Sequence, residues 1–242
     1  MRKKQILKFT VCFSFLLLIS CCLFFNPSQG KDAKIKTNLT WSTNTYVPFN
    51  YSGKALPVPG SLVEVTANLE ERPSIIRKLD FYWFLNNQLQ NQAYSKGKHT
   101  FKFLVPSSGS RTLSIKLEVK DQGKLVVSKK LSIKTVAPQV IIYSKQNSFL
   151  AIKDHKIPNH QQVKFEAIPY FFNIQNLNNL DYQWTLNNKK ADEFDQSPNI
   201  LTLGIEIEGL IESITQKLEL LVKNKDKSNQ EAKIRTTITI IP

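Results

Sequence analysis

The polarity of the chain alternates with a period of two over most of its length. Apolar side chains recur at Val63, Val65 and Ala67, at Phe81, Trp83 and Leu85, at Leu113, Ile115, Leu117 and Val119, and at Leu131 and Ile133. A strand turns successive side chains to opposite faces, so this spacing predicts half-buried β-strands. Turn residues separate them at Pro59-Gly60, Asn86-Asn87, Pro106-Ser107-Ser108-Gly109 and Asp121-Gln122-Gly123, at the intervals expected of an antiparallel sandwich. One segment is ambiguous. Between residues 205 and 223 glutamates are mixed with Ile and Leu; by analogy with the earlier strands it is read as two strands.

The pattern occurs twice. Leu79-Asp80-Phe81-Tyr82-Trp83-Phe84-Leu85-Asn86-Asn87 returns 101 residues later as Leu180-Asp181-Tyr182-Gln183-Trp184-Thr185-Leu186-Asn187-Asn188, with six of nine residues identical. Val63-Glu64-Val65-Thr66-Ala67 precedes the first copy and Val163-Lys164-Phe165-Glu166-Ala167 the second. Lys116-Leu117-Glu118-Val119 and Lys217-Leu218-Glu219-Leu220 follow, again 101 apart. Two long copies predict tandem domains, not a solenoid. The junction falls at Thr135-Val136-Ala137-Pro138, a connection short enough to predict a stiff rod. The expected domains are 31–137 and 138–242.

The strand Phe81-Tyr82-Trp83-Phe84-Leu85, its copy Tyr182-Gln183-Trp184-Thr185-Leu186, and the strand Ile115-Lys116-Leu117-Glu118-Val119-Lys120 resemble the tryptophan strand and penultimate strand of PKD-like domains, a cell-surface branch of the immunoglobulin-like sandwiches. Such domains usually carry a Gly-Asp-Gly turn where this chain has Asn86-Asn87 and Asn187-Asn188. The resemblance implies two tandem immunoglobulin-like antiparallel β-sandwiches, all-β apart from an N-terminal signal or anchor helix. It also implies that Trp83 and Trp184 fill the space between the sheets. Leu85, Leu186, Ile115, Leu117, Val119, Leu218 and Leu220 would complete the two cores.

Arg2, Lys3, Lys4 and Lys8 precede residues 9–25, which carry no charge. This is the layout of an export signal. As a helix the run would span about 25 Å, short of a hydrocarbon core of about 30 Å. Three readings stand: cleavage before Lys31 after the small residues Ser28 and Gly30, an uncleaved membrane anchor, and lipidation of Cys21 in the lipobox-like Leu18-Ile19-Ser20-Cys21, although Cys22, Leu23, Phe24 and Phe25 continue the apolar run after it. All three place the remainder outside the cytoplasm.

Cys12, Cys21 and Cys22 all lie in the apolar run, so no disulfide framework is expected and stability rests on the cores. Without the leader the chain keeps 29 Lys and Arg against 19 acids, a net charge of +10. That balance favours anionic partners, or coats strand faces and sheet edges with lysine.

Catalytic chemistry finds little support. There is no nucleophile elbow and no cysteine beyond the leader. The histidines are His99, His155 and His160; the last two lie five apart, a spacing foreign to common zinc motifs, and are read as solvated loop residues. Asp192, Glu193 and Asp195 lack the spacing of a calcium loop. No enzyme, cofactor or metal is expected, and no nucleic acid. The sequons Asn38-Leu39-Thr40 and Asn50-Tyr51-Ser52 carry weight only in a host that glycosylates.

One asymmetry points to a surface. The first tryptophan strand is apolar on both faces, with Tyr82 and Phe84 where the second has Gln183 and Thr185. Tyr82 and Phe84 must be covered, either by a local loop or the neighbouring domain, with segment 41–59 one candidate, or by a partner. The expected function is a non-catalytic extracytoplasmic interaction, adhesion or envelope-structural module. Its partners would be other envelope or surface proteins, or anionic surface polymers, with membrane contact through the N-terminal segment if it is retained or lipidated. The alternative is a glycan-binding module of the cell surface.

Overall fold

The computed structural model describes residues 35–107, 111–145, 154–191 and 197–242. Cys21, the rest of the leader, and Asp192, Glu193 and Asp195 lie outside the described residues.

The first sandwich opens with β1 (Thr37–Thr43) and β2 (Leu62–Leu69), followed by one helical turn at Pro73–Ile76. Then come β3 (Asp80–Leu85), β4 (Gln88–Leu89), β5 (Ser95–Lys96), β6 (Thr100–Leu104), β7 (Thr112–Asp121) and β8 (Lys124–Lys134). One sheet has the order β1-β2-β6 and the other β4-β3-β7-β8, with β5 on β3. The second sandwich comprises β9 (Gln139–Ser144), β10 (Asp154–Pro158), β11 (Gln162–Tyr170), β12 (Leu180–Leu186), β13 (Lys189–Lys190), β14 (Ile200–Gly204), β15 (Ile214–Asn224) and β16 (Glu231–Ile241). Its sheets run β14-β11-β9 and β10-β16-β15-β12-β13.

In the first unit β1, β2 and β6 form one sheet and β3, β7 and β8 the core of the other; in the second unit β9, β11 and β14 form one, and β12, β15 and β16, with β10 added at the edge, the other. That is the A-B-E and C-F-G division of the immunoglobulin fold. The ladders are antiparallel except for β10, which runs parallel to β16 from Asp154↔Thr237 to Pro158↔Ile241. This strand corrects the reading of His155 as a solvated loop residue. His155 and Ile157 point inward from β10, and the imidazole meets the Phe165 ring edge-on, centroids 5.3 Å apart. Burial pushes its pKa below the usual 6.5. His160 is exposed on the following turn, with Nδ1 3.4 Å from Glu206.

Each sandwich closes over its own apolar cluster. Phe81, Trp83, Ile115, Leu117 and Val119 are buried in the first, and Tyr182, Trp184, Leu218 and Leu220 in the second; Leu85 and Leu186 are half-buried at the margins. Both tryptophans are fully excluded from solvent. Their indole Nε1 groups donate to the carbonyls of Lys98 and Pro198, each at 3.1 Å, so neither buries an unpaired donor.

The register revises the correspondence between the halves. Trp83 stands opposite Leu117 but Trp184 stands opposite Leu220. The structural equivalent of Leu117 is therefore 103 residues on, not the 101 that matches Lys116-Leu117-Glu118 to Lys217-Leu218-Glu219. A shift of two keeps every side chain on its face, because the strand period is two, and this is why the sequence match gave the right faces with the wrong partners. Residues 205–223 differ from expectation as well: they hold a loop and a single strand, β15.

Candidate interaction surfaces

The tryptophan strand turns Trp83 inward, and so Tyr82 and Phe84 outward, onto the face of the β4-β3-β7-β8 sheet. The ladder sets Tyr82 opposite Glu118 and Phe84 opposite Lys116. Both rings are half-buried. Lys120 Nζ lies 4.7 Å from the Tyr82 centroid and Lys116 Nζ 5.0 Å from that of Phe84, contacts worth about 0.5–1 kcal/mol each at an exposed site. Lys116 also pairs with Glu118. The Tyr94 ring, 46 % exposed, stacks on Tyr82 with centroids 4.7 Å apart at 31°. A hydrogen bond with Tyr82, then the charges of Tyr82 and Asp80, raise the Tyr94 hydroxyl pKa. Tyr82 and Phe84 are thus covered locally, by two lysines and a tyrosine. The cover is partial, and the three rings form an aromatic strip edged with cations that stays partly open to solvent.

The matching face of the second sandwich is a closed ion cluster. Thr185 stands opposite Glu219, which stands opposite Arg235. The Glu219 carboxylate, 9 % exposed, pairs with Lys217, with Lys233 at 2.8 Å and with Arg235 at 3.1 Å. Hydrogen bonds from Lys217 and Lys233 pull its pKa from 4.5 to about 2. Gln183 donates to Asp181 at 2.7 Å. Acceptors and donors on this face satisfy one another.

The segment 41–59, one candidate cover for Tyr82 and Phe84, belongs to β1 as far as residue 43 and from there meets the second sandwich. Tyr46 exchanges backbone hydrogen bonds with the second sandwich, its N–H donating to the Phe172 carbonyl and its carbonyl accepting from Phe171 N–H, both at 2.7 Å. The Tyr51 ring packs edge-on against Tyr170 and Phe171. The carbonyl of Gly60 accepts from Asn173 Nδ2 at 2.8 Å and from Lys227 Nζ at 3.2 Å, and the Pro59 carbonyl accepts from Gln230 Nε2 at 2.9 Å. Gln230 is fully enclosed, its Oε1 accepting from Asn173 N–H at 2.9 Å and Asn224 Nδ2 at 3.1 Å. Sequence reasoning missed these amides, since buried polar residues on loops leave no apolar period to read.

Among the described residues no three His, Cys, Asp or Glu side chains gather as a metal site, and no helix is long and apolar enough to cross a membrane.

No protein-family profile matches the sequence, and no curated relative does. Solved structures do. The three N-terminal domains of the Highly Immunogenic Outer Capsid protein (Hoc) of bacteriophage RB49 align at a TM-score of 0.46 and 12 % identity, over 85 % of this chain and 59 % of that one. The Ig1-2 module of the Drosophila receptor protein tyrosine phosphatase DLAR aligns at 0.29 and 10 %, over 85 % and 99 %. The C-terminal fragment of intimin, solved with the intimin-binding domain of its translocated receptor, aligns at 0.30 and 12 %, over 84 % and 63 %. The assignment to the immunoglobulin-like fold rests on the strand order above.

Proposed function

We propose that the chain is a non-catalytic, extracytoplasmic interaction module of the adhesion or envelope-structural kind. It is built from two PKD-like domains, residues 31–137 and 138–242, behind an export segment that is cleaved, retained as an anchor or lipidated at Cys21. The observation that carries this reading is the contrast between equivalent faces: Tyr82, Phe84 and Tyr94 with Lys116 and Lys120 on one, three cations gathered on the single carboxylate of Glu219 on the other. Aromatic rings held at a sheet surface by lysine stems offer large contact area at little further entropic cost, as protein interfaces use them.

A glycan-binding reading draws on the same rings, since stacked tyrosines beside lysines also suit an anionic sugar. One experiment separates the two. Purified full-length chain is immobilised and offered isolated envelope fractions that are untreated, protease-digested or periodate-oxidised. Retention lost on proteolysis supports a protein partner; retention lost on periodate supports the glycan. Tyr82→Gln with Phe84→Thr, the residues the second sandwich carries, should keep the unfolding midpoint and lose retention. If the double variant retains envelope material as the parent does, the face is not the binding surface.

A further inference from the structure

The first sandwich has an open side. In the β1-β2-β6 sheet, β6 is hydrogen-bonded to β2 alone, and across from it the other sheet ends in the two-residue strand β4. Between these edges runs a groove of about 900 Å³, lined by Leu62, Leu85, Leu89 and Leu104 with Lys98 and Lys102. Leu62, Leu89 and Leu104 are 36, 43 and 65 % exposed.

The fold does not require these leucines. Leu62 pairs with Leu104 across the β2–β6 ladder, and the pair in the same place on β11 and β14 is Gln162 and Gly204. Leu89 faces Phe84 on β3, and its counterpart facing Thr185 on β12 is Lys190. Three exposed leucines of the first sandwich are thus Gln, Lys and Gly in the second, which closes with the same strand order. Another edge of the first sandwich, β8, carries Lys124, Lys129, Lys130 and Lys134 beside the exposed Leu125, the usual protection of an edge strand. The β6 edge has apolar neighbours instead.

The charge of the groove selects the occupant. Its lining includes two lysines and no carboxylate. Lys102 is partly neutralised by Glu64 opposite it at 3.2 Å, and Lys98 Nζ donates to the Gln92 carbonyl at 2.5 Å, a neutral acceptor. We propose that the β6 edge and its leucine-lined groove receive an extended acidic and apolar segment of a partner protein as an added strand. Main-chain hydrogen bonds to β6 would supply affinity, alternate apolar side chains would fill the groove, and alternate acids would meet Lys98 and Lys102. The proposal rests on the protein-interaction reading above but uses a different surface.

The probe is a pooled library of capped peptides of about six residues, an ordinary strand length, alternating apolar residues with randomised polar ones, passed over the immobilised full chain. The retained pool should be enriched in Asp and Glu. A selected peptide should lose at least about tenfold in affinity, about 1.4 kcal/mol, against Leu62→Gln/Leu89→Gln/Leu104→Thr, and as much when its own backbone is N-methylated, a change that leaves the chain unaltered. The Tyr82→Gln variant, which leaves Phe84 beside Leu89, should bind it like the parent, so that this surface and the aromatic face fail or stand separately. A retained pool with no acidic preference, or affinity indifferent to N-methylation, overturns the proposal. So does a dimer in sedimentation that the leucine variant dissolves, which would assign the edge to a second copy of the chain.

Discussion

Asn86 and Asn187 show how much one residue can fix. Each begins a two-residue hairpin turn whose residues all have positive φ (49° and 67° in the first, 47° and 65° in the second), the conformation of a type I′ turn, which asparagine tolerates better than most side chains. Each also ties the turn to the neighbouring strand, Asn86 Oδ1 accepting from Ser114 N–H at 3.0 Å and Asn187 Oδ1 from Lys217 N–H at 2.8 Å. The turns were legible because Asn-Asn interrupts an alternating pattern; the bonds to the next strand were not, because their partners differ in type. Trp83 and Trp184 sit three residues before these turns. Truncating either to Ala should destabilise its sandwich by about 3–5 kcal/mol, measured by urea unfolding followed by the remaining tryptophans, and a loss below about 0.5 kcal/mol would mark a surface position. Two side chains set the acid response. His155 is held neutral by burial while the unfolded chain takes up a proton below 6.5, so its contribution falls as pH drops through 6.5. Glu219 has its pKa depressed from 4.5 to about 2, so its contribution is complete above 4.5 and is lost as pH falls toward 2. Unfolding midpoints against pH should therefore decline in two stages; His155→Phe should flatten the upper one and Glu219→Gln the lower.

At the scale of strands, alternation revealed the faces and left the partners open. Lys116-Leu117-Glu118 and Lys217-Leu218-Glu219 look equivalent, yet Lys116 faces Phe84 while Glu219, not Lys217, faces Thr185. The length of the preceding loop decides the register, and loop length carries no polarity signal. β10 went unread for a related reason: Pro158-Asn159-His160 reads as a loop, and only a parallel partner gives the preceding residues a ladder. That strand separates the two sandwiches in a measurable way. The outer edge of β16 is hydrogen-bonded to β10 over Thr237–Ile241, whereas β8 pairs with β7 on one side only. Amide exchange should accordingly be slow at nearly every residue from 237 to 241. In β8 protected and rapidly exchanging amides should alternate. Alternating protection in both strands would mean that the parallel ladder does not persist in solution.

At the scale of the molecule, the short connection at 135–138 gave the expectation of a stiff rod, but the described contacts hold the sandwiches together chiefly through segment 44–61. Val136 N–H donates to the Pro57 carbonyl at 3.0 Å, and beyond that bond Tyr46, Tyr51, Pro59 and Gly60 make the junction. Gln230, 1 % exposed, distinguishes junction from sandwich atom by atom. Its Oε1 accepts from Asn173 and Asn224, both within the second sandwich, while its Nε2 donates across to Pro59. The amide orientation follows from the partners, since a backbone N–H must face the oxygen. Gln230→Glu keeps the oxygen that accepts the two internal bonds and, ionised, sets a second oxygen against the Pro59 carbonyl, so it removes the crossing bond and adds a buried charge. The lost bond and the charge left in an enclosed site together should cost at least about 1–3 kcal/mol. If this bond couples the halves, the parent unfolds in one transition and the variant in two, the first sandwich's midpoint unchanged when calorimetry resolves them. A variant that still melts in a single transition at the parent's midpoint would mean that Tyr46, Tyr51 and Gly60 carry the coupling without Gln230.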